Sequence, residues 1–137
     1  MPLQQFVNPT GGEVRGCDAQ GCGFYGAWRD GGARLHAGVD IVSVTGQGVS
    51  ASFGGTAEPI TGTISGVKIT GGPFVMRVLY VDAGFTGTLQ VQAGTMIGTA
   101  QNITNIYPGI TNHVHAELYL RGIGNIDPTP FIAFPPR

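Results

Sequence analysis

Asn112-His113-Val114-His115-Ala116-Glu117-Leu118 decides how the chain is read, because two of its three histidines stand two residues apart in a run that alternates with period two. Such alternation marks a β-strand, in which residues i and i+2 project from one face. The two imidazoles are then neighbours, about 6.6 Å apart at Cα. That spacing lets one of them bind a metal ion while the other reaches the water bound to it.

Outward from this stretch the strand signal repeats. Short runs rich in Val, Ile, Thr and Phe lie between breaks made by 24 glycines and nine prolines, and they predict strands at Val39–Val44, Val49–Phe53, Gly62–Ile69, Phe74–Val81, Thr88–Val91, Thr95–Ala100 and Val114–Leu120. No amphipathic helical pattern stands out. Thr61-Gly62-Thr63 recurs at Thr86-Gly87-Thr88, but no third copy keeps the interval, so a repeat architecture is not supported. The expected fold is all-β, a small antiparallel domain with a groove. Residues 1–34 are read as coil carrying a cysteine loop, 35–122 as the β core, and 123–137, with Pro128, Pro130, Pro135 and Pro136, as coil unable to form a regular element.

Composition narrows the functional classes. A chain of 137 residues is enough for one hydrophobic core. Only 11% of residues are charged, against a norm of about 25%, and the net charge of −1 offers no electrostatic footprint for nucleic acid or anionic lipid. The most apolar window, Phe74 to Val81, contains Arg77 and falls short of the roughly 18 residues of a membrane span. Met1-Pro2-Leu3-Gln4-Gln5-Phe6 has neither the basic nor the apolar region of a signal peptide. Export is therefore expected through a leader already removed, or by another route such as a virion or host lysis.

Cys17 and Cys22 are the only cysteines. Four intervening residues suit a small disulfide loop of an oxidising compartment, and two free thiols are the other reading. A cysteine-based zinc site does not fit, since the spacing is not C-x₂-C and no second pair exists.

The third histidine opens His36-Ala37-Gly38-Val39-Asp40-Ile41, where Gly38 permits the bend that brings positions i and i+4 to one point. His36, Asp40 and one histidine of the pair supply two nitrogens and one oxygen. With a fourth position left to water, that is the ligand count of a catalytic zinc site.

Leu35-His36-Ala37-Gly38-Val39-Asp40-Ile41 resembles the first metal motif of the LytM (M23) peptidases, and His113-Val114-His115-Ala116-Glu117-Leu118 resembles the second. Between them Gly48-Val49-Ser50-Ala51-Ser52-Phe53-Gly54-Gly55 is similar to the family's G-x-x-V-x-A strand pair in shortened form, and Val91-Gln92-Ala93-Gly94-Thr95-Met96-Ile97-Gly98 to its V-x-x-G-x-x-I-G segment. The resemblance implies a fold of duplicated hybrid motif type with His36, Asp40 and His115 holding one Zn²⁺ and His113 handling the attacking water. It further implies endopeptidase action on bacterial peptidoglycan, with extracellular, periplasmic or virion-associated placement. Cys17-Asp18-Ala19-Gln20-Gly21-Cys22-Gly23-Phe24-Tyr25 and Tyr107-Pro108-Gly109-Ile110 are similar to chemotaxin-like members of the superfamily, which are secreted signalling proteins. That similarity favours the Cys17–Cys22 disulfide and an alternative role, a zinc module without turnover that binds cell wall or a protein partner. A third reading makes the chain a structural component of a virion or surface, with its histidines as plain polar residues.

One departure separates these readings. Active members carry a further histidine in a Y-x-H strand motif, where this chain has Tyr80-Val81-Asp82, and all three histidines are already assigned. An ionised Asp82 can accept a proton but cannot donate a hydrogen bond to an oxyanion. Loss of one such donor costs other hydrolases about 10²–10³ in rate. Glu117 is read either as a partner for an imidazole N–H or as a solvent-facing glutamate. Of Tyr25, Trp28, Tyr80 and Tyr107, only Tyr107 is singled out as a groove residue.

Overall fold

A computed structural model of the chain describes residues 5–136; the Met1-Pro2-Leu3-Gln4 part of the segment read above for a leader lies outside the described residues, as does Arg137. The fold is all-β, with fourteen short strands: β1 (Cys17–Asp18), β2 (Gly21–Cys22), β3 (Trp28–Arg29), β4 (Arg34–Leu35), β5 (Val39–Val42), β6 (Gly48–Ser50), β7 (Gly55–Ile60), β8 (Gly66–Gly71), β9 (Phe74–Leu79), β10 (Val81–Ala83), β11 (Leu89–Val91), β12 (Met96–Ala100), β13 (His113–Leu120) and β14 (Gly124–Ile126). The only helical pieces among the described residues are 3-10 turns at Asp30–Gly32 and Thr129–Phe131.

The main antiparallel sheet runs β11-β7-β8-β9-β13-β14, with β5 also pairing β13. A second sheet of three strands, β10-β12-β6, packs across it. Strand β13 is the axis of the site. One edge pairs with β9 from His115 to Leu120, while the other is shared between β5, along His113–Ala116, and β14, along Leu118–Leu120. Its even positions, Val114, Ala116 and Leu118, are fully buried in the core with Val39 and Ile41. The odd positions, His113, His115 and Glu117, therefore face the other way.

Most predicted strands appear with shifted ends, and four differences have physical causes. Strand β7 is not among the predicted strands because Gly54-Gly55 and Pro59 read as breaks, yet β11 pairs only with Gly55 to Ala57, so Pro59 lies beyond its end and its missing donor is not needed there. The expected continuous strand from Phe74 to Val81 is interrupted at Tyr80, whose φ of 64° is left-handed. That kink passes the chain from the main sheet to the second one. The Tyr80 amide donates to the Ser65 carbonyl (2.9 Å) and its carbonyl accepts from Gln101 (3.0 Å).

The N-terminal segment is not plain coil, since β1–β2 and β3–β4 form two small ribbons. The C-terminal reading is also corrected. Residues 124–126 pair with β13, because the prolines begin only at Pro128 and Gly122 turns the chain back. Beyond it, Phe131 stacks on Phe6 at 5.5 Å and Ile132 bridges to Phe6, closing the two ends over the core.

Candidate metal centre

The register of β5 on β13 sets Asp40 directly opposite His115. Side chains directly opposite on an antiparallel pair lie about 5 Å apart at Cβ on one face. His36 enters from the segment just before β5. Gly38 lets that segment cross β13 closely, and a Cβ there would overlap the Ala116 carbonyl oxygen.

The three donor atoms converge. His36 Nε2 lies 3.1 Å from Asp40 Oδ1 and 3.0 Å from His115 Nδ1, and His115 Nδ1 lies 2.9 Å from Asp40 Oδ1. Among the described residues these three form the one group of His, Cys, Asp or Glu able to hold a metal ion. The opposite nitrogen of each ring is fixed: His36 Nδ1 meets the Phe24 carbonyl at 2.9 Å and His115 Nε2 meets Glu117 Oε2 at 2.9 Å. Both acceptors take N–H groups, so a metal would bind the neutral rings through Nε2 of His36 and Nδ1 of His115. Two ring nitrogens and a carboxylate oxygen thus point at one spot, where the metal-free protein shares a proton between His115 Nδ1 and Asp40 and where a metal ion could take that proton's place. A tetrahedral zinc with bonds of 2.0–2.1 Å holds its ligands about 3.3 Å apart, so this cradle has to open by only about 0.3 Å. The donor set fits zinc.

The other oxygen of Asp40 is held by an arginine that the motifs do not contain. Arg15, 2% exposed, donates from Nε and Nη2 to Asp40 Oδ2 at 3.1 and 3.0 Å, and from Nη1 to the Gly21 carbonyl at 3.0 Å. It also pairs with Asp18 at 2.7 Å. No motif spacing points to Arg15. The only hint is that a chain with seven basic residues places one between Val14 and Gly16.

His113 lies beside the triad rather than in it. Its Nδ1 donates to the Thr111 carbonyl at 2.8 Å, and Nε2 stands 3.4 Å from Asp40 Oδ2. Burial, the largest influence, pulls its pKa down and favours the neutral ring. Tyr80 packs edge-on against His113 at 5.7 Å between ring centres and against Tyr107 at 6.5 Å. Burial pushes the Tyr80 hydroxyl up in pKa, so it keeps its proton.

Asp82 does not join this cluster: it is exposed, accepts from Gln101 Nε2 at 2.9 Å and is not among the groove residues. The left-handed turn at Tyr80 breaks the alternation, so Tyr80 and not Asp82 is aimed at His113. The site floors a groove of about 610 Å³, which Tyr107, Trp28, Arg29 and Arg34 also line. Cys17 and Cys22 form a disulfide, and its loop braces the groove through Thr111 N–H to Asp18 (2.8 Å) and Gln20 Nε2 to the Pro108 carbonyl (2.8 Å).

Metal-free protein should show a definite pH dependence. Burial alone lowers the His115 pKa, but its hydrogen bonds to Asp40 and Glu117 outweigh this and raise it to about 9. Glu117 is held down at about 2, chiefly by the hydrogen bond from His115, with burial opposing. The raised histidine stabilises the fold fully below 6.5 and ceases to do so as pH rises through 9; the lowered glutamate does so fully above 4.5 and loses it as pH falls through 2. The His115–Glu117 contact enters both shifts and counts once, while the Asp40 contact adds to the histidine's. Melting temperature of chelator-treated protein is therefore expected to peak between pH 4.5 and 6.5 and fall on both sides; a profile still rising from pH 7 to 9 would contradict the assigned contact.

Comparisons with known proteins find relatives in sequence and in fold. No family model matches the chain. Leukocyte cell-derived chemotaxin-2 of Bos taurus is 34% identical over 113 residues, covering 77% of this chain and 72% of the relative. That of Mus musculus is 31% identical over 134 residues, covering 92% and 83%. Myeloid protein 1 of Gallus gallus is 34% identical over 119 residues, which are 80% of this chain but only 36% of the relative. Among solved structures, Helicobacter pylori Csd3 superposes with a TM-score of 0.68 at 18% identity over 97% of this chain and 36% of the other. The catalytic domain of the prophage-encoded M23 protein EnpA from Enterococcus faecalis, solved as a point mutant, gives 0.54 at 19% identity over 71% and 78%.

Proposed function

This chain belongs with the leukocyte cell-derived chemotaxin-2 proteins and has the fold of the M23 peptidases, and we propose that it is a zinc-dependent endopeptidase acting on the peptides of bacterial peptidoglycan. The observation that carries this reading is His113. A site that held zinc for structure alone has no use for a buried, neutral imidazole beside the ligands with Nε2 turned toward them.

Zinc bound by His36, Asp40 and His115 would polarise the scissile carbonyl and bring a bound water to a pKa near 7. The protein's own groups do the rest. His113 Nε2 takes a proton from the attacking water, since Nδ1 is committed to the Thr111 carbonyl. Glu117 and the Phe24 carbonyl hold the two ligand rings in their tautomers. Arg15 keeps Asp40 ionised and oriented, with one oxygen for the metal and one for the guanidinium. The disulfide suits an extracellular, periplasmic or virion-surface setting, and among the described residues no helix is long and apolar enough to cross a membrane.

A second reading keeps zinc and the groove but not turnover: a module that grips a cell-wall peptide or a protein partner. It is favoured by the exposed position of Asp82, which leaves the Y-x-H role without a histidine. The two separate in one assay. For zinc-loaded wild type we expect release of fragments from labelled peptidoglycan, and for His113→Ala unchanged zinc content with release reduced about 10²–10⁴-fold. Stoichiometric zinc without release by the wild type would overturn the peptidase reading in favour of the gripping module.

A further inference from the structure

Asp18, in the Cys17–Cys22 loop, takes donors from two arms of the site on a single oxygen. Its Oδ2 accepts from Arg15 Nη1 at 2.7 Å and from the Thr111 amide at 2.8 Å. Arg15 leads to the metal ligands, since its Nε and Nη2 hold Asp40 Oδ2 at 3.1 and 3.0 Å. Thr111 leads to the imidazole beside them, since its carbonyl accepts from His113 Nδ1 at 2.8 Å. His113 Nε2 stands 3.4 Å from that same Asp40 oxygen, so Asp40, Arg15, Asp18, Thr111 and His113 close into a ring.

The loop holds this carboxylate still. The disulfide joins its ends, with Asp18 opposite Gly21 in the β1–β2 register, and Asp18 Oδ1 accepts from the Gln20 amide at 2.9 Å in a local side-chain turn. The Gly21 carbonyl is a second acceptor for Arg15 Nη1, at 3.0 Å. The loop's tip meets the 107–111 turn closely: Gln20 Nε2 donates to the Pro108 carbonyl at 2.8 Å, and a Cβ at Gly109 would lie 2.6 Å from Ala19 Cβ. On its far side Thr111 is followed by Asn112, whose side chain bonds Ser43, the Gln101 carbonyl and the Ile103 amide. Asp18 supplies the hold on the near side. Burial opposes its charge, but the bonds from Thr111, Arg15 and Gln20 outweigh this and keep its pKa at about 2, so both Oδ2 bonds are charge-assisted at neutral pH.

We propose that Asp18 is a positioning residue that sets both arms of the site at once: through Arg15 the carboxylate of Asp40, and through Thr111 the ring of His113 in its Nδ1–H tautomer. This role deepens the zinc-site reading and rests on it. Without the carboxylate, Arg15 keeps its charge with one anionic partner fewer near the metal, and the Thr111 carbonyl is free to turn away from His113.

Nitrogen-15 spectra of the imidazoles in zinc-loaded protein, with the His113 signal assigned by its loss in His113→Ala, read one arm; zinc titration of the stripped chain reads the other. In the wild type His113 is expected in the Nδ1–H form alone. Asp18→Asn puts an amide where two donors need an acceptor, and should give a mixture of the Nδ1–H and Nε2–H forms together with zinc affinity weakened about tenfold. Asp18→Glu keeps the charge but displaces it by one methylene; it should move both readouts the same way, and it carries the test if melting temperature shows Asp18→Asn to be unstable. Gln20→Ala loosens the same loop by freeing the Pro108 carbonyl yet leaves Asp18 in place, and should match the wild type in both readouts. An unchanged His113 signal in the Asp18 variants, a shift in only one readout, or a shift as large in Gln20→Ala overturns the proposal. Both shifts in a protein that releases no peptidoglycan fragments would keep the positioning role and remove only the peptidase reading; release by a wild type whose Asp18 variants show neither shift would do the reverse.

Discussion

Gly38→Ala is expected to lower zinc affinity at least about 100-fold and to destabilise the fold by about 1–3 kcal/mol. A methyl group at this position overlaps the Ala116 carbonyl oxygen and comes to 2.9 Å from Cε1 of His115. Neither neighbour can give way cheaply. Ala116 is fully buried and paired on both sides, with Val39 of β5 and Val78 of β9, and the His115 ring is pinned between Asp40 and Glu117. The strain is relieved only by moving the His36–Asp40 segment off β13, which pulls two ligands away from the third. Zinc titration alongside thermal denaturation measures both effects; wild-type affinity in this variant would show that the close crossing does not position the ligands.

Arg15→Met should cost the metal-free protein about 3–5 kcal/mol, because breaking a buried ion pair leaves its partner charge uncompensated. Methionine roughly keeps the stem's volume, so the loss is electrostatic. Asp40, 2% exposed, loses both hydrogen bonds to Oδ2, and Asp18 loses its 2.7 Å contact. For a chain of this size the melting temperature should drop by roughly 10–20 °C. Zinc should shrink that drop, since a bound cation compensates the same carboxylate. An equal drop with and without zinc would mean that Arg15 matters for packing the N-terminal segment and not for the charge on Asp40.

Much of the site is legible in the chain because local geometry carries it. A period-two run fixes which face His113 and His115 share, and a glycine two residues before an aspartate signals a close crossing. What stays hidden depends on tertiary register. Arg15 reaches Asp40 across 25 residues of sequence, and its role is set by burial that no motif encodes. Glu117 reads equally well as a solvent-facing residue, and only the side-chain geometry of β13 turns its carboxylate onto His115 Nε2. The expectation for Asp82 assumes a continuous strand; one left-handed residue, Tyr80, breaks that assumption and presents a phenol where the next position was expected to act. The strand at Gly55–Ile60 escapes for a related reason, since a proline reads as a break until the partner strand is known to end before it.

Every role proposed for the groove depends on one zinc ion held by His36, Asp40 and His115 together. Equilibrium dialysis of the chelator-stripped chain against zinc, followed by metal analysis, should give one zinc per chain for the wild type, none retained by His36→Ala or His115→Ala, and one retained by His113→Ala. Absence of zinc from the wild type at neutral pH, or full zinc content in His36→Ala, would contradict it.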